Sequence, residues 1–156
     1  MKVVVRSSWA LVALAANAGL VWAALEPIAW LSMSCSKGWV LSEPSTRPGA
    51  TCETSLFSAL EPTRFALLSA LVIVPPIVAA ACNRLWASGV AVVALIAIVG
   101  FGLSRWPTYW LVVAIIGAPA TFFGLIITLI HLAIVAREQS LDASGPVRQP
   151  DDGNRV

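Results

Sequence analysis

Cys35 and Cys52 are the residues of this chain whose type and spacing point most directly to chemistry. Both fall in a polar stretch, residues 34–64, between two apolar segments. Two thiols that meet in an oxidising compartment close a loop, and for one of this size the chain-entropy account gives about 3 kcal/mol of stabilisation. The alternative is a redox-active pair that cycles between thiol and disulfide. The third cysteine, Cys82, ends an apolar run and is expected to remain a buried thiol.

The redox reading invites comparison with four-helix, quinone-coupled thiol oxidases of membranes. Those enzymes use a closely spaced attacking pair and a second pair that passes electrons on. This chain has no Cys-x-x-Cys and only two cysteines in the loop, so it departs from that pattern at the residues that matter. A structural disulfide between Cys35 and Cys52 is the expectation.

The other candidates lie inside apolar runs, where polar and backbone-breaking residues are expensive and often functional. His131 falls about 33 Å along the last run when counted from Tyr109, near a headgroup region, where it suits a bond to a carbonyl or water better than a proton relay. Asn17 sits inside the first run, where an amide more often joins helices than moves a substrate. Glu26 closes that run just before Pro27. In small multidrug exporters the acidic residue lies within the first span instead. Pro75-Pro76, mid-run, removes two amide donors and leaves the carbonyls of Leu71 and Val72 without their helical partners. Together with Pro119 they are candidate helix breaks or hinges: either a static kink or the discontinuous helix of a transport site. No acidic residue lies at that depth to bind a cation beside the freed carbonyls.

The elements that must position these residues are membrane spans. The chain is 58% hydrophobic and 12% charged, with a mean hydropathy of +0.84, against about 25% charge in a soluble domain. From Phe65 to Val135 the charged side chains are Arg84 and Arg105, each in a short connector. The expectation is an all-α integral membrane protein with spans at Trp9–Leu25, Phe65–Cys82, Trp86–Leu103 and Tyr109–Val135. They would form an antiparallel bundle with one long exofacial loop and a disordered cytoplasmic tail over residues 136–156. Within the loop, Leu56, Phe57 and Leu60 suggest a short helix on the membrane, and Glu61-Pro62 an entry to the second span. Lys2 and Arg6 ahead of Trp9–Leu25 also fit a signal peptide, with Ala16-Asn17-Ala18 as its cleavage site. Apolar character continuing through Leu20, Val21, Trp22 and Leu25 favours retention, and the later spans keep their orientation either way.

Orientation follows from the basic residues. With both termini in the cytoplasm the inside holds Lys2, Arg6, Arg84, Arg137, Arg148 and Arg155, and the outside Lys37, Arg47, Arg64 and Arg105. Trp9 and Trp86 would then mark the inner interface, and Trp22, Trp106 and Trp110 the outer. Composition and the lack of Asn-x-Ser/Thr lean toward a bacterial inner membrane. A net charge of +2 with scattered basic residues gives no reason to expect nucleic acid. Small residues at helical spacing (Ala15, Gly19, Ala23; Ala120, Gly124) suggest that the first and last spans pack closely on something.

No catalytic constellation, cofactor motif or metal-ligand spacing stands out. The expected function is a non-catalytic accessory, assembly or interaction subunit, its partners being the bilayer and another membrane protein or a second copy. The alternative is a small oligomeric transporter, channel or membrane-permeabilising protein.

Overall fold

A computed structural model describes residues 2–31, 35, 47–105 and 109–143. Among them there is no strand, only an isolated bridge between Pro27 and Ser55. The elements are α1 (Lys2–Leu25), α2 (Ile28–Leu31), α3 (Leu56–Ala59), α4 (Pro62–Cys82), α5 (Leu85–Ser104) and α6 (Leu111–Ala143). Among the described residues four helices are long and apolar enough to cross a membrane: α1 from Val3, α4, α5 and α6 as far as Ser140.

Each span begins or ends a little away from its sequence expectation, for local reasons. α1 starts well before Trp9 because Val3-Val4-Val5 is already apolar. The Ser8 hydroxyl donates to the Val4 carbonyl at 2.9 Å, so the polar Ser7-Ser8 step does not interrupt the helix. α4 opens as anticipated, with Glu61 at the N-cap and Pro62 in the first turn, where a missing amide costs nothing. It ends at Asn83, which takes a left-handed conformation (φ 47°). α6 runs on to Ala143, so residues 136–143, expected to begin a disordered tail, are helical. Arg137, Glu138 and Gln139 are strong helix formers that extend a helix once it is nucleated. The remainder of the expected tail lies outside the described residues, as do Trp106 and Lys37.

The long helices close a ring in the order α1, α4, α5, α6, with α5 and α6 most extensively apposed and α4 also touching α6 across it. Between helices this apolar, close backbone approach and shape drive packing in a bilayer, where lipid tails are as apolar as the helix faces. Gly102 shows this: a Cβ there would stand 3.0 Å from both the Ala114 amide nitrogen and the Trp110 carbonyl oxygen. The outward faces remain apolar, with Leu14, Val93, Phe122 and Leu129 all more than half exposed.

Two buried clusters fill the ring. Towards the loop end, Leu20, Ala23, Leu68, Val72, Tyr109, Val112 and Val113 pack with Ile28, Leu56 and Leu60 of the loop helices and their flank. The other cluster surrounds Trp9 with Val5, Val12, Ala79, Val92, Leu95 and Ala120. Trp9 is therefore not the interfacial anchor expected of it. It is fully buried, and its Nε1–H donates to the Ser88 hydroxyl oxygen at 3.2 Å. Gly124 leaves room for the indole: a Cβ there would lie 2.8 Å from Cη2. Cys82 also differs from expectation, being exposed rather than buried. It lies beyond Leu68, Val72, Pro76 and Ala79, the positions that α4 buries.

Candidate functional site

The surface most suited to hold something is a groove between α1 and α6. Ser8, Leu11, Ala15, Gly19 and Trp22 line one wall, and Ile115, Ile116, Pro119, Phe123 and Ile127 the other, around a volume of about 570 Å³. Its shape follows from side-chain size. Ala15, Ala16, Gly19 and Ala120 leave space between the two helices, while Leu11, Trp22 and Phe123 stand up as rims. From Ser8 to Trp22 the wall is about 21 Å long, most of the roughly 30 Å hydrocarbon thickness.

The lining is almost wholly apolar. The hydroxyl of Ser8 is engaged with the Val4 carbonyl. The one backbone irregularity is Pro119, which has no amide to give, so the Ile115 carbonyl lacks its usual helical donor. The arrangement suits an apolar helix or acyl chain, and its lining includes no titratable side chain.

A cap covers the loop end of the ring. Cys35 and Cys52 form a disulfide, with Cα atoms 5.6 Å apart. Around it, Ile28 N–H donates to the Thr54 carbonyl at 3.1 Å, Ala29 N–H to that of Cys52 at 2.9 Å, and Leu56 N–H to that of Glu26 at 3.1 Å. Glu26 is half-buried here, its backbone joined to the cap. Cys35 and Ala50 pack on the loop-end cluster, so the disulfide fastens the cap to the bundle.

The remaining candidates are scattered. α4 is helical without interruption through Pro75 and Pro76, so no unwound segment of the discontinuous-span kind forms there. The nearby Ser69 hydroxyl bonds the Phe65 carbonyl rather than those freed by the prolines. Pro75 instead borders a shallow apolar depression with Val78, Trp86 and Val90. His131 is half-buried on α6, and its Nδ1 is buried without a hydrogen-bond partner; Asn83 Oδ1 is in the same state. Asn17 is exposed on the outside of α1. Only Pro119 of these candidates belongs to the groove. Among the described residues no three His, Cys, Asp or Glu side chains gather to hold a metal ion.

Sequence reasoning missed the Trp9–Ser88 bond and the groove itself. Ser88 is a polar residue one turn into a span, and Gly124 marks a place that needs space, but nothing in either local sequence says that they meet at Trp9. Comparison of the chain with protein-family models, curated proteins and solved structures finds no match.

Proposed function

We propose that this chain is a small non-catalytic accessory, assembly or interaction subunit of a bacterial inner membrane, and that the groove between α1 and α6 seats an apolar segment of its partner. The observation that carries the reading is the lining: the small residues Ala15, Ala16, Gly19 and Ala120 stand among bulky apolar ones, and no titratable group enters. An interface core between membrane helices needs shape and small residues.

In this reading the spans form an antiparallel bundle with both termini in the cytoplasm and the Cys35–Cys52 cap outside. The excess of basic residues on the cytoplasmic side supports that orientation, as does an oxidising compartment for the disulfide. The competing reading is a small oligomeric transporter, channel or permeabilising protein. It would draw on Asn17, Glu26 and His131, three of the polar groups at or within the spans.

The test is site-specific photo-crosslinking in the native membrane from Ala15 and Phe123, with Val93 on the outer side of α5 as control. Purification in mild detergent, native mass and identification of adducts follow. One stoichiometric partner protein, captured from the groove positions and not from Val93, supports the proposal. Failure to find one, together with liposome flux that collapses when Asn17, Glu26 or His131 is replaced, refutes it in favour of transport.

A further inference from the structure

α1 has a second free surface, on the side away from the groove. Val3, Ser7, Ala10, Leu14, Asn17 and Val21 follow one another at alternating steps of four and three residues. That 3.5-residue repeat keeps one seam of a helix facing a partner helix along a left-handed pair. All six are exposed, with Val3 at 75%, Leu14 at 65% and Val21 at 54%. None of them lines the groove.

Asn17 is the seam's irregular member. It stands about 21 Å along α1 from Val3, well within a hydrocarbon core of about 30 Å. No group among the described residues hydrogen-bonds its side-chain amide. In water that would be unremarkable, but in hydrocarbon an amide with no partner is costly. Its bonds must come from outside the described residues.

We infer that this seam is a homodimer interface, in which two copies pack α1 against α1 and Asn17 bonds the partner's Asn17. Two copies inserted the same way into one membrane are related by a twofold axis along its normal. That axis sets α1 parallel to itself and brings each seam residue opposite its own counterpart. The group at the centre must therefore satisfy itself, and a primary amide does so because it carries both donor and acceptor. A single Asn in such a seam also favours a parallel pair in one register. Ser7 and Ala10 let the helices approach closely along the first half of the seam. Lys2 and Arg6 fall outside the repeat and are not forced against their counterparts. The inference rests on the reading that the protein acts through its membrane-facing surfaces, but it uses a different surface from the proposed partner groove.

The test uses the full chain in membranes with Cys82→Ser, which leaves Cys35 and Cys52 paired. Single variants Ala10→Cys, Leu14→Cys and Val21→Cys are oxidised in the bilayer beside Leu11→Cys and Ala15→Cys. Disulfide-linked dimers at the three seam positions, and not at the two groove positions, are expected. Association measured by dilution in micelles should weaken about three- to twentyfold on Asn17→Val, with most of it restored by Asn17→Gln. Dimers linked through the groove positions instead, or association unmoved by Asn17→Val, overturn the inference. A different protein captured at the seam also overturns it, yet leaves the accessory-subunit reading standing. A seam dimer with no partner in the groove does the reverse.

Discussion

Gly124 on α6 stands so close to Trp9 that replacing it with alanine offers a demanding test of the packing. The added methyl would lie 2.8 Å from Cη2 of the indole, 3.2 Å from Cζ3 and 3.5 Å from Val92 Cγ2. Carbon atoms in contact settle at about 3.5–4.0 Å, so the ring must retreat by about 0.7 Å or more. It has little room to do so. Trp9 is fully buried among Val5, Val12, Ala79, Ala91, Leu95 and Ala120. Its Nε1–H bond to Ser88 is already 3.2 Å long, at the far end of the normal range.

Overpacking of this kind costs about 1–3 kcal/mol, and losing the indole hydrogen bond would add about 0.5–1.5 kcal/mol. Alanine's better helix propensity returns at most about 1 kcal/mol. Gly124→Ala should therefore destabilise the protein by about 1–3 kcal/mol, measured as reversible unfolding in mixed micelles followed by circular dichroism. Gly89→Ala and Gly100→Ala are the controls, since a methyl at either meets nothing within 4 Å; both should be neutral or slightly stabilising. In a Trp9→Phe background the atoms that clash are gone, and Gly124→Ala should lose most of its penalty, a coupling of about 1–2 kcal/mol. The reasoning fails if Gly124→Ala behaves like Gly100→Ala, or if its full penalty survives in the Trp9→Phe background.

Cys52→Ser should remove about 3 kcal/mol of stability from the cap, seen as faster protease cleavage between residues 47 and 60 while the helical signal of the spans persists. Asn83→Ala should cost about 1–2 kcal/mol, because alanine resists the left-handed conformation at φ 47°. Asn83→Gly should be close to neutral in the same unfolding assay. At Gly102 an alanine methyl would meet backbone atoms of Trp110 and Ala114 at 3.0 Å, which cannot rotate away. Gly102→Ala should push α5 and α6 apart at a cost of about 1–3 kcal/mol, detectable as a lower thermal midpoint in detergent.

The four spans were legible because length and apolarity alone define a helix that can cross a bilayer. The entry to α4 was legible for the different reason that Glu61-Pro62 is a strong start signal. Neither principle says which way a side chain points. In a soluble helix the polar face identifies the buried one by contrast. Here Leu14 faces outward and Leu20 inward, and both are leucine on one helix. Trp9 was misassigned for that reason: a tryptophan near a span end reads as an interfacial anchor, and only Gly124 and Ser88, on two other helices, make the buried position possible. The early start of α1 was missed for a related reason, since Arg6 and two serines look like a boundary until Ser8 is seen bonding back to Val4.

The small residues show why close packing could be anticipated and the groove could not. Ala15, Gly19 and Ala23 on α1, with Ala120 and Gly124 on α6, were expected to bring helices together, and α1 and α6 do pack on each other. Whether a missing side chain produces contact or space, however, depends on what stands opposite. Gly124 meets an indole and is filled. Gly19 meets Ile116, to whose Cγ2 a Cβ would come within 3.4 Å, and still borders the groove. Ala15 is exposed and left open as part of the groove wall. A residue that is small for packing and one that is small for binding are the same residue in the sequence, and the neighbouring helix decides between them. Asn17 is the opposite case: its proposed place in a dimer seam rests on the absence of a neighbour among the described residues, because hydrocarbon offers an exposed amide no hydrogen bond.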